Sequence, residues 1–125
     1  MNRNHVKEII KRWLLQVNEA EILPNDIEAL NFGLFIDTDN CYQIYLTGSK
    51  KYDYYDDDWA CIEDFIPKEE YCSPLGVSTD FDWEIFLNNI IEILKELVQE
   101  FKEMAIFRVH HITSGFDSGN LFVVK

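Results

Sequence analysis

The residues best equipped for chemistry sit in one short run, Tyr52-Asp53-Tyr54-Tyr55-Asp56-Asp57-Asp58-Trp59, with Glu63 and Asp64 just beyond it. Clustered carboxylates can hold a hard cation, which takes several oxygen ligands. Here the spacing lacks the alternating aspartates of a calcium loop and its Glu at the twelfth position. Three successive aspartates repel one another more readily than they face one ion, so no metal site is expected. A solvated charge run is the ordinary reading of such a stretch. The four large aromatics among the acids set this run apart, because such rings are the side chains that anchor interfaces. Trp59 and one tyrosine are expected to pack inward. The remainder would form a binding patch in which carboxylates meet Lys or Arg and tyrosines stack on guanidinium planes. In that reading Asp53, Asp56, Asp57, Asp58, Glu63 and Asp64 supply charge, and Tyr54, Tyr55 and Trp59 supply apolar anchors.

Other sources of chemistry are sparse. There is no Gly-rich phosphate loop, no GxSxG elbow, no HExxH and no CxxC pair. His5 lies at the start of the chain, while His110 and His111 are adjacent on an expected strand and so point to opposite faces. They would not ligate one metal together, and neither has an evident nucleophile or acid partner. Cys41, Cys61 and Cys72 are odd in number and wrongly spaced for zinc, which suits free thiols in a reducing cytoplasm. The expectation is a protein that is not an enzyme and uses no cofactor.

Charge narrows the partner. The formal net charge is −12, and residues 19–84 hold 17 acids against three bases (Lys50, Lys51, Lys68), a local net charge of −14. Nucleic acid and anionic membrane are both repelled by such a segment, whereas a basic protein is attracted. No apolar stretch reaches the about 20 residues a membrane span needs, and the N-terminus lacks the apolar core of a secretory signal. At 125 residues, with 47% hydrophobic composition, a single domain with its own core is expected.

The elements that must position the run follow from periodicity. Val6, Ile9, Ile10, Trp13, Leu14 and Val17 recur at helical steps behind an Asn2 or Asn4 cap, and Pro24-Asn25-Asp26 marks a turn. Residues 30–37 and 41–48 read as two strands joined at Thr38-Asp39-Asn40, the second carrying Tyr42, Ile44 and Leu46 on one face. A short third strand is expected at Trp59–Ile62, followed by an irregular stretch through Pro67 and Pro74. A helix of over 20 residues is expected to start near a Thr79 cap and bury Trp83, Phe86, Leu87, Ile90, Leu94, Leu97, Val98 and Phe101. Strands at 106–112 and 121–124 close the chain across an Asp117-Ser118-Gly119-Asn120 turn. The expected fold is α+β, with two amphipathic helices on a mostly antiparallel sheet of four or five strands, in the order α-β-β-(β)-α-β-β.

The stretch Asp56-Asp57-Asp58-Trp59-Ala60-Cys61-x-Glu63-Asp64-Phe65-x-Pro67, with the later Ser114-Gly115-Phe116-Asp117-Ser118-Gly119-Asn120-Leu121, resembles small immunity proteins of bacterial polymorphic toxin and contact-dependent inhibition systems. That resemblance implies a short cytoplasmic protein that neutralises a cognate toxin domain, often a nuclease, by occluding or distorting its active site. Two other readings stay open: a regulatory module with a basic partner and no toxin, and a small metal-dependent hydrolase using Asp56–Asp58.

Overall fold

The Asn2 side chain accepts a hydrogen bond from the His5 N–H (3.1 Å) and caps helix α1, Arg3–Ala20. The stripe read from the sequence becomes its buried face: Val6, Ile10, Trp13, Leu14 and Val17. In this computed structural model, which describes residues 1–125, the remaining elements are β1 (Ala29–Ile36), β2 (Tyr42–Ser49), α2 (Trp83–Glu100), β3 (His111–Phe116) and β4 (Phe122–Val123). Two 3₁₀ turns, Asp57–Cys61 and Ala105–Arg108, interrupt the longer connections.

The four strands form one sheet in the order β2-β1-β3-β4. β1 and β2 make the expected antiparallel hairpin, with Leu34 opposite Ile44, and Asn40 takes positive φ (57°) in its turn. β3, however, lies parallel to β1, placing Ile112 beside Leu30, and only the short β4 returns antiparallel. The sheet is therefore mixed rather than mostly antiparallel. The reason is connectivity: α2 carries the chain from β2 past β1 to its far side, and such a crossover delivers a parallel neighbour. As the inner strand, β1 is buried from Ala29 to Leu34, including its polar Asn31.

Both helices cover one face of the sheet. Trp13 meets Phe32 edge-on (6.0 Å) and Tyr42 stacks on Phe86 (4.4 Å, 13°). Tyr42, Ile44 and Leu46 all point into this core, as their alternation predicts. Arg3 and Lys7 on α1 reach Glu96 and Glu100 on α2, with Lys7 Nζ at 2.9 Å from Glu96 and 2.6 Å from Glu100. Hydrogen bonds from Arg3 and then Lys7 hold the Glu96 carboxyl below its ordinary range, and Glu100 and Glu96 raise Lys7.

Local readings shift in four places. The stretch at Trp59–Ile62 is no third strand: the Asp56 side chain caps a 3₁₀ turn there, and a capped turn leaves no extended backbone to pair. α2 is 18 residues long and is capped by Asp82, whose Oδ1 accepts from the N–H groups of Glu84 and Ile85; Thr79 is not the cap. Trp83 is half exposed rather than in the buried stripe. Residues 105–108 form a 3₁₀ turn, so β3 begins only at His111.

The irregular stretch has a structural task. Phe65 bridges to Gly48, Tyr71 to Tyr45 and Ser78 to Cys41, so residues 65–78 run along the open edge of β2. They satisfy its backbone through bonds such as Leu46 N–H to Glu70 O (3.0 Å) and Tyr42 N–H to Val77 O (2.9 Å). Pro67 and Pro74 keep this covering from becoming a regular strand, because proline cannot donate to a ladder. An edge so covered offers no template to another chain.

Candidate functional site: an acidic face on the open side of the sheet

Side chains alternate along strands, so Asn31, Gly33 and Phe35 of β1 point away from the helices, with Tyr45 and Thr47 of β2 and Thr113 and Gly115 of β3. Asn31 Oδ1 accepts from Thr113 Oγ1 at 2.9 Å, joining two of the buried polar groups of this face. Tyr45 lies over Gly33, and its hydroxyl donates to Asp117 Oδ1 (2.6 Å). Burial of the ring, then the Asp117 carboxylate, pushes the Tyr45 phenol far above its usual range.

The acidic run folds over the neighbouring part of this face. Tyr52 stacks on His111 (3.8 Å, 8°), and Trp59, 5% exposed, packs against Tyr52 (5.2 Å). Ser49 Oγ meets the carbonyls of Trp59 (3.0 Å) and Ile62, tying the 3₁₀ turn to the end of β2. Trp59 and one tyrosine thus turn inward, as expected. Trp59 consequently offers no apolar anchor to a partner: its ring is spent holding the loop to the sheet.

The aspartates explain the shape of the loop. Asp53 Oδ1 accepts from Tyr55 N–H (2.9 Å), Asp56 Oδ1 from Asp58 N–H (3.0 Å) and Asp64 Oδ2 from Lys50 N–H (2.8 Å). Asp57 Oδ2 accepts from Leu121 N–H (3.1 Å), fastening the loop to the segment before β4. Short acidic side chains bind nearby backbone in this way wherever a chain must turn. No three of the protein's His, Cys, Asp or Glu side chains converge as a metal ligand set.

Asp53, Asp56, Asp57, Asp58, Glu63 and Asp64 are all exposed, and none pairs with a cation of the protein. The ion pairs lie elsewhere: Arg3 and Lys7 with Glu96 and Glu100, Arg12 with Glu8, Lys50 with Asp26, and His110 with Glu28. Asp58 and Glu63 make no hydrogen bond through their carboxylates at all. Tyr54 and Tyr55 stand outside, 66% and 92% exposed, packed edge to face on each other at 5.1 Å. The structure thus leaves every expected site residue except Trp59 exposed.

No protein-family model, curated protein or solved structure matches this chain. No helix is long and apolar enough to cross a membrane.

Residues outside the run also belong to this surface. A cleft of about 240 Å³ lies between Asp57, Asp58 and Cys61 on one side and Tyr45 and Asp117 on the other. Tyr45 and Asp117 also line a second cleft, with Phe35, Tyr71, Glu63 and Glu70. Only the alternation on β2, which sets Tyr45 opposite the core-facing Tyr42, Ile44 and Leu46, hints at this in the sequence.

Proposed function

We propose that this chain is an acidic immunity protein that acts in the cytoplasm, binding a cognate toxin domain and neutralising it by occluding its active site. The toxin best suited to such a face is a basic nuclease. The observation that carries this reading is the set of six exposed carboxylates with no cation inside the protein, beside the exposed Tyr54 and Tyr55. A nuclease presents Lys, Arg and His to phosphate, so its cleft is positive, and an array of carboxylates imitates the phosphates it is built to hold. Unpaired charge steers encounter, with association rates reaching about 10⁸–10⁹ M⁻¹s⁻¹ at low salt. Exposed tyrosines add contact area at low conformational cost.

Two features favour a preformed face over a mobile charged tail. Tyr52, Trp59 and Ser49 pin the loop to the sheet, and the Asp53, Asp56, Asp57 and Asp64 hydrogen bonds set its turns. Preorganisation lowers the ordering cost of binding.

The test is co-expression with the toxin domain encoded beside this gene, scored by survival and by pull-down. Asp58→Asn with Glu63→Gln removes two charges that no internal bond uses, and Asp56→Asn with Asp57→Asn keeps an oxygen for the turn bonds. Loss of protection in the combined variant, with unchanged thermal stability, is the expected outcome. Full protection by that variant overturns the acidic-face mechanism. A chain with no toxin gene beside it, capturing a basic protein all the same, would belong to the regulatory class instead.

A further inference from the structure

The second cleft is lined by six residues, of which three are aromatic and three acidic: Phe35, Tyr45 and Tyr71 with Glu63, Glu70 and Asp117. Its volume is about 290 Å³, and no basic residue lines it. The three rings form a nearly equilateral triangle, with centroids 6.0 Å (Phe35–Tyr45), 5.8 Å (Phe35–Tyr71) and 6.0 Å (Tyr45–Tyr71) apart. Their planes are tilted by 48–80° to one another, so they act as walls and not as a stack. A cation seated over the middle of that triangle lies within about 6 Å of all three centroids, the range in which a ring attracts a cation that meets its face. Three carboxylates on the same lining supply counter-charge, and Asp117 has one oxygen left after accepting from Tyr45.

We propose that this cleft is a socket for one arginine side chain of a protein partner. Arginine suits it better than lysine. A planar guanidinium stacks on ring faces and donates to several carboxylate oxygens at once, whereas an ammonium is a compact, strongly hydrated point charge. The occupant follows from charge complementarity, since aromatic walls alone would admit any apolar group and the three acids select a cation. The Glu70 carboxylate, then burial and Glu63, raise the Tyr71 phenol, as burial and Asp117 raise that of Tyr45. The socket adjoins the acidic loop through Tyr45 and Asp117, which line both clefts. It therefore rests on the reading of a basic partner and names the side chain by which that partner is held.

The experiment titrates the full chain with N-acetyl-arginine-N-methylamide, followed by shifts of the Tyr45 and Tyr71 ring protons. The lysine analogue and the isosteric citrulline compound serve as controls. Saturable shifts at both tyrosines, at least about threefold tighter for arginine than for lysine and absent for citrulline, are expected. Glu63→Gln with Glu70→Gln should weaken binding at least fivefold while Tyr71→Phe leaves it within about twofold, because the ring and not the hydroxyl makes the contact. Equal binding of citrulline, no saturable shift, or full affinity in the Glu63→Gln, Glu70→Gln variant would each overturn the socket. No toxin enters this titration, so its failure leaves the co-expression result untouched. A toxin that is neutralised equally well by the Glu63→Gln, Glu70→Gln variant would separate the two in the opposite sense.

Discussion

The Tyr45 ring lies over Gly33, so close that no Cβ can be placed at Gly33 without moving the ring. The pair faces each other across the β1–β2 ladder, and the absent side chain is what lets the ring reach Asp117. Gly33→Ala should therefore cost about 1–3 kcal/mol, the usual penalty of overpacking. Urea denaturation measures the loss, and the Tyr45 ring shifts report whether the ring has swung off Asp117. An alanine variant with unchanged stability and unchanged ring shifts would show that the ring lies elsewhere.

Trp59 and Tyr55 differ in kind although they stand four residues apart. Trp59 is buried and Tyr55 nearly free in solvent. Trp59→Ala should destabilise by about 3 kcal/mol as a buried aromatic truncation. Tyr55→Ala should stay within about 0.5 kcal/mol of wild type, as exposed substitutions do, while weakening partner binding. Denaturation of both variants beside a pull-down with the proposed partner separates the two roles.

The three thiols should react in a set order. Cys61 is exposed, Cys41 is partly covered and Cys72 is 7% exposed. Burial pushes the Cys72 thiol up to about 12, so its thiolate is scarce at any working pH. Timed labelling with a disulfide reagent at pH 8 should modify Cys61 first and Cys72 only on unfolding. Rapid native labelling of Cys72 would contradict its place in the core.

Acid should loosen the contact between the helices. Glu96 carries a lowered pKa when folded, so its ion pairs with Arg3 and Lys7 contribute fully above the unfolded carboxylate value, about 4.3. That contribution is lost as pH falls through the folded value. Melting temperatures should show wild type above Glu96→Gln at pH 7, with the gap closing below about pH 4.3. Lys7 acts in the opposite range: its raised pKa holds its share until pH climbs past the ordinary lysine value. A gap that persists unchanged at pH 3 would show that the Glu96 pairs add nothing.

Much of the fold is legible in the residues themselves. The stripe from Val6 to Val17, the alternation from Tyr42 to Leu46 and the stripe from Phe86 to Val98 each appear as periodic patterns because side-chain direction repeats along a helix or strand. The acidic run is legible too, as a concentration of charge and aromatics, and so is the inward turn of Trp59. Three boundaries are not. A 3₁₀ turn capped by Asp56 and a short extended segment differ in a hydrogen bond that apolar content does not encode. The same holds for Ala105–Arg108 against a strand, and for Asp82 against Thr79 as the cap of α2.

The residues alone settle what is local: which stretches are amphipathic and where the charge collects. What only the tertiary structure decided is adjacency. The parallel pairing of β1 with β3 depends on how α2 crosses the sheet, a long-range event with no local signal. The same pairing, with the covering of the β2 edge by residues 65–78, brings Phe35, Tyr45, Tyr71, Glu63, Glu70 and Asp117 into one cleft from positions up to 82 apart in the chain. Charge is a property of composition, but a socket is a property of distance, and distance between remote residues is fixed only when the sheet is assembled.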